Sequence, residues 1–117
     1  MPEHIVKRVR GFTPDLYLSL SFQTMVKFNV KRGSKIQCVI KNILDDQGNV
    51  KNSLNKQIIC DVSKRDGRFY LPSDLISEMN IIGVDYLEVI LEKLIYSDNK
   101  EIDFYPGELV KDDVIIF

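Results

Sequence analysis

Laid over itself at a displacement of 51 residues, this chain meets its own apolar pattern without a gap. Leu18 falls on Phe69, Leu20 on Leu71, Met25 on Ile76, Phe28 on Met79 and Val30 on Ile81. Further on, Ile36 falls on Leu87, Cys38 on Val89, Ile40 on Leu91 and Ile43 on Leu94. Identities are few, Asp15/Asp66 and Asn29/Asn80 among them, but the apolar positions coincide through strand, helix and strand. A repeat of this length marks a supersecondary unit that must pack against its own copy. The 117 residues suffice for one domain and not for two of ordinary size. We therefore read 1–117 as a single domain, with a first repeat at 4–50, a second at 56–105 and a C-terminal tail or strand at 106–117.

The chain has no Ala and no Trp but 14 Ile and 5 Tyr, a balance that favours strands over helices. HIVKRVR (4–10) reads as a strand, GFTPD (11–15) as a turn, and LYLSL (16–20) alternates at the period of two that marks a half-buried strand. Ser21 caps a short helix running to about Phe28, and KIQCVIKNIL (35–44) is a long strand. DDQGNVKNSLNK (45–56) is polar and reads as a loop, with room for a short hairpin arm. The pattern then restarts. QIICDVS is a strand, KRDG a turn and RFYL a short strand. Pro72 suits the first turn of a helix carrying Leu75, Ile76 and Met79 on one face. YLEVILEKLI (86–95) and EIDFY are strands, and the apolar VIIF at the end either adds a terminal strand or anchors to a partner.

The net charge of −1 hides an asymmetry. Residues 1–68 hold 13 Lys/Arg against 6 Asp/Glu, and residues 69–117 hold 3 against 11. That imbalance implies either a basic surface on one part of the molecule or one half docking electrostatically on the other. Cys38 and Cys60 lie in apolar runs with no CxxC spacing and His4 as the only histidine. They read as buried thiols, with a disulfide as the alternative in an oxidising compartment, rather than as metal ligands, and no cofactor is expected. No HExxH, GxSxG or glycine-rich phosphate loop is present, and Asp45-Asp46 and Asp112-Asp113 fall in loop or tail, so an enzyme is not expected. No apolar run approaches the ~20 residues of a membrane span, and the charged N-terminal segment lacks the core of a secretory signal. A cytoplasmic protein is the expectation.

The second repeat carries a more specific signature. Gly67-Arg68, the apolar run Phe69 to Leu71, Pro72, Leu75, Met79, Asn80-Ile81, Asp85 and the strand Leu87 to Leu91 resemble, in type and spacing, the swapped-hairpin unit of the AbrB/MazE/SpoVT family. The first repeat resembles a worn version, with Leu16-Tyr17 at the Gly-Arg position, Ser21 for the proline and Thr24 for the leucine. The resemblance implies a mainly β fold with two short helices, a swapped-hairpin, AbrB-like β-barrel that two repeats in one chain close by internal duplication. A further dimer of such barrels is the alternative.

It also implies a function. Proteins of that family mostly bind DNA as transcriptional regulators or antitoxins, presenting Arg and Lys from one face. Here Lys7, Arg8 and Arg10 in the first repeat correspond in place to Lys64, Arg65 and Arg68 in the second, and Lys31 and Arg32 add to them. These eight are the expected contacts to double-stranded DNA, since phosphate contacts supply most of the affinity of such a face. Ile76 and Ser77 stand where the Bacillus-type regulators carry basic helix residues, so that grip is missing. The competing expectation is a protein-interaction or antitoxin-like module that does not bind DNA, with a homodimer or a protein partner held through the acidic C-terminal half.

Overall fold

The structure, a computed structural model, describes residues 3–20, 22–63 and 67–104; for residues 3, 4 and 22–24 it describes the backbone alone. The element order is β1 (Glu3–Arg8), β2 (Arg10–Phe12), β3 (Asp15–Ser19), α1 (Phe22–Lys27), β4 (Lys35–Leu44), β5 (Val50–Asp61), β6 (Arg68–Tyr70), α2 (Ser73–Met79), β7 (Tyr86–Ile95) and β8 (Glu101–Asp103). The protein is mainly β with two short helices, as composition implies. Ser21, Lys64, Arg65, Asp112-Asp113 and the VIIF terminus lie outside the described residues.

The 51-residue period is visible in the backbone. β4 and β7 are both ten residues long and start 51 positions apart. Asn29 and Asn80 both take a left-handed conformation after their helices, with φ of 52° and 54°. Val30 N–H donates to the Met25 carbonyl, as Ile81 N–H does to that of Ile76. The hairpin turns match too: Asp45 N–H donates to Asn49 O and Gly48 N–H to Asp45 O, as Tyr96 N–H does to Lys100 O and Asn99 N–H to Tyr96 O.

The two halves meet about a pseudo-twofold axis. β4 and β7 pair antiparallel with Val39 opposite Ile90, positions that correspond in the two repeats. Register breaks fall symmetrically on either side, skipping Lys41 on one strand and Glu92 on the other. In the small sheet β3 pairs β6 with Leu18 opposite Phe69, again corresponding positions. Both side chains are buried at 1% exposure or less, so the axis runs through the core. Leu20 N–H donates to Gly67 O and Leu71 N–H to Leu16 O, completing the symmetric pairing.

The strands form a five-stranded sheet ordered β1-β7-β4-β5, with β8 also on β7, and a three-stranded sheet ordered β2-β3-β6. β1 and β8 share one edge of β7, β1 along Tyr86–Leu91 and β8 along Lys93–Ile95. The edge of β4 away from β7 is covered along its whole length by a single strand, β5. Alternation then sets the interior. Ile36, Cys38, Ile40 and Ile43 of β4 and Leu87, Val89, Leu91 and Leu94 of β7 point inward and are fully buried. They pack with Leu16, Leu18 and Phe69 of the small sheet and with Leu75 and Ile76 of α2 in one core cluster.

The expected closed barrel is not formed. The chain crosses between sheets at two buried corners, where Val9 N–H donates to Asp85 O and Val62 N–H to Ser34 O. Beyond these corners the small sheet has only three-residue strands at its edges, plus one isolated bridge from Val62 to Phe69. Among the described residues such short edges do not pair with β5 or β1 along their length, so the two sheets stay open. A second correction concerns residues 45–56. Asp45 and Asp46 do lie in a loop, a tight turn in which Asp45 Oδ1 accepts from Gln47 and Asn49 N–H, both at 2.9 Å. From Val50 onward, however, the expected loop is the first half of the twelve-residue β5. Pro72 also stands one position earlier than expected, as the N-cap whose carbonyl accepts from Ile76 N–H.

Candidate nucleic-acid interface

The outer face of the small sheet is built by period-two alternation. Leu16, Leu18 and Phe69 point into the core, so Arg10, Phe12, Asp15, Tyr17, Ser19, Arg68 and Tyr70 point the other way. Register lines Arg10 up with Tyr17 and Tyr17 with Tyr70 across the three strands, and Ser19 with Arg68 in the row beside. The Arg68 guanidinium lies 4.4 Å from the centre of the Tyr17 ring, and the Tyr17 and Tyr70 rings are 5.3 Å apart. Arginine on an aromatic face gains from the ring quadrupole and keeps its outward donors directed.

Arg8 joins this group from the large sheet. The chain bends at buried Val9, so exposed Arg8 and Arg10 stand on either side of the corner. Both line a concavity of about 600 Å³ together with Phe12, Tyr17, Gly83 and Val84. Neither makes an ion pair among the described residues.

The other expected contacts divide. Lys7 shares the inward face of β1 with Ile5, is 8% exposed, and donates from Nζ to the Ser19 carbonyl. It is a bridge between the two sheets, not a surface cation. Lys31 and Arg32 are exposed in the turn before β4. Lys31 lines a separate concavity of about 450 Å³ with Lys27, Tyr96 and Lys100, at the end of β4 where Lys35 faces Ile95. Arg8, Arg10 and Arg68 are thus brought together, and Lys31 and Arg32 form a second group elsewhere. Lys64 and Arg65 lie outside the described residues.

Where the acidic half goes matters as much. Among the described residues a single ion pair crosses from residues 1–68 to 69–104: Lys51 Nζ to Asp85 Oδ2 at 2.8 Å. Lys93–Glu101 and Lys100–Asp98 are local to the β7–β8 hairpin. On the outer face of the large sheet, carboxylates meet amides: Glu92 accepts from Gln37 and Gln57 at 3.2 and 2.9 Å, and Glu88 from Asn42 at 3.0 Å. Among the described residues, then, Arg8 and Arg10 of the basic half form no ion pair with the acidic half. The large sheet presents acceptors to solvent and the small sheet presents arginines.

Cys38 and Cys60 are both free and buried, on the inward faces of paired strands. Burial, then the neighbouring Cys60 and Glu92 charges, push the Cys38 thiol far up, and burial with Asp61 pushes Cys60 to about 11. Both are protonated at neutral pH and chemically quiet. No group of metal-ligating side chains occurs, and no helix is long and apolar enough to cross a membrane, among the described residues.

Sequence reasoning missed Tyr17, Tyr70 and Phe12 as members of this face. The alternation that hides Leu16 and Leu18 was the signal that could have placed Tyr17 outside. Compared with protein families, curated proteins and solved structures, the chain matches none.

Proposed function

We propose that this protein binds double-stranded DNA as a transcriptional regulator of the AbrB-like type, through the arginine face of its small sheet. One observation carries the reading: Arg8 and Arg10 from the first repeat and Arg68 from the second converge around Tyr17, the first two without a carboxylate partner among the described residues. Two exposed arginines beside a third already oriented on a ring suit phosphate oxygens and guanine edges, where the planar fork binds bidentately. Lys31 and Arg32, exposed at a separate turn, are not needed for this reading. Lys7 is left out, because its ammonium is committed to Ser19.

Fluorescence anisotropy with a labelled duplex, run from low to moderate salt, tests this. Neutralising four or five phosphates gives a log–log salt slope of about −4. Arg8→Glu combined with Arg10→Glu should weaken binding at least about tenfold and flatten the slope by roughly two. Lys56→Glu, an exposed charge reversal on β5, should do much less. A duplex that shows no salt-dependent shift, or a double variant that binds like the parent, overturns the assignment.

A further inference from the structure

Phe12 is the most exposed large apolar side chain among the described residues, at 89%. Its backbone sits in a tight turn. Phe12 pairs with Asp15 across a two-residue turn of Thr13 and Pro14, the tip of the β2–β3 hairpin. Behind the tip, Gly11 has a φ of +93°, and a Cβ there would lie 2.5 Å from the Asp15 carbonyl oxygen and 3.0 Å from the Tyr17 ring. Gly83 backs onto the same point, since a Cβ on it would approach the Gly11 carbonyl oxygen to 2.9 Å. Two turns are thus pressed together with no side chain between them, which sets the stretch of backbone from which the ring projects. Arg10 is on the same face two residues earlier, and Arg8 lines the same concavity.

An exposed apolar ring on a closely backed hairpin tip, flanked by two cations that form no ion pair among the described residues, has the chemistry of a wedge for a stacked, anionic polymer. Proteins that bend duplex DNA commonly insert an apolar side chain at a base step while cations hold the backbone on either side. We propose that Phe12 enters a base step of the bound duplex, unstacking it and bending the DNA while Arg8 and Arg10 hold the adjoining phosphates. The inference rests on the DNA-binding reading above and goes beyond it, because arginine contacts alone require no deformation. Asp15, opposite Phe12, is the one carboxylate among the described residues of this face, and it disfavours an approach in which the tip merely lies along the phosphates. Insertion carries the ring past the backbone and leaves Asp15 at the rim. Flexible pyrimidine–purine steps are the expected points of entry.

The test uses a duplex of roughly 30 base pairs that contains TA and CA steps and carries a donor–acceptor dye pair at its ends, so that bending shortens the distance. Binding is followed by anisotropy on the same sample. With the wild-type chain, energy transfer should rise on binding, and 2-aminopurine placed at a TA step should brighten as it unstacks. Phe12→Ala, at a fully exposed position, should still bind but about fivefold more weakly, with no rise in transfer. Phe12→Leu, which keeps an apolar wedge, should restore most of it. If the parent binds and the duplex stays straight, or if Phe12→Ala bends it equally, the wedge is overturned and DNA binding stands. If the parent does not bind the duplex at low salt, both fall.

Discussion

Asp85 and Ser34 occupy one position in the two repeats and do one job. Each is 1% exposed and precedes a long strand, and each accepts from the backbone N–H three residues earlier: Ile82 to Asp85 at 2.9 Å, Lys31 to Ser34 at 3.1 Å. Asp85 also holds Lys51 at 2.8 Å. Asp85→Ala takes the acceptor from the Ile82 N–H and strips half-buried Lys51 of its counter-charge, which should cost about 2 kcal/mol. Ser34→Ala should cost about 1 kcal/mol. Thermal unfolding of the two variants measures the difference; equal losses would mean that the charge adds nothing to the turn. The thiols give a second prediction at this scale. Their folded pKa values lie above those of the unfolded chain, so the stability they contribute is complete below about pH 8.5 and is lost as pH rises towards 11. The Cys38→Ala/Cys60→Ala double variant, though less stable overall, should show a shallower loss of Tm between pH 9 and about 11. A slope identical to the parent's would remove the thiols from the alkaline transition. Residue roles were legible only where chemistry and periodicity agreed. The buried thiols follow from their apolar neighbours, whereas Lys7 looks like any other cation until β1 is seen to share its inward face with Ile5.

Elements whose two faces differ in environment were easiest to read. KIQCVIKNIL and YLEVILEKLI each have one wet and one dry side, and both strands begin and end where the alternation does. β5 escaped for the converse reason. At the outer edge of the large sheet, residues Val50 to Gln57 are exposed or half-buried on both faces, so KNSLNKQ carries no hydrophobic period. Its lysines and asparagines suit an edge, where charge discourages pairing with another chain. The joint between β6 and the end of β5 depends on Gly67, with a φ of +69° and a Cβ position only 2.6 Å from both the Leu20 carbonyl oxygen and Met25 Sδ. Gly67→Ala should cost on the order of 1–3 kcal/mol, combining backbone strain with a displaced Met25. The corresponding residue of the first repeat is Leu16, whose carbonyl receives Leu71 N–H without needing a positive φ. Chemical denaturation of Gly67→Ala checks this, and an unchanged midpoint would mean that the joint yields.

At the scale of the molecule, the period of 51 was open to sequence analysis because burial imposes it on both halves. Whether the sheets close was not, since closure depends on hydrogen bonds between edges that carry no side-chain signal. The edge of β7 has one more consequence. Phe104 N–H donates to Glu92 O, and Glu3 faces Leu91, so β8 ends where β1 begins and both run in the same direction. In the other half, β5 covers the matching stretch as one unbroken strand. The path of the backbone is thus nearly a ring. A permuted chain in which Phe104 passes directly into Glu3, opened between Gln47 and Gly48 instead, would keep every strand pairing described here. It should fold with the far-ultraviolet spectrum of the parent and a Tm within roughly 10 °C of it, taking about 2 kcal/mol for the altered turn. If the parent cut to residues 3–104 folds and the permuted chain does not, the covalent order of the strands, and not only their arrangement in space, is needed to reach this structure.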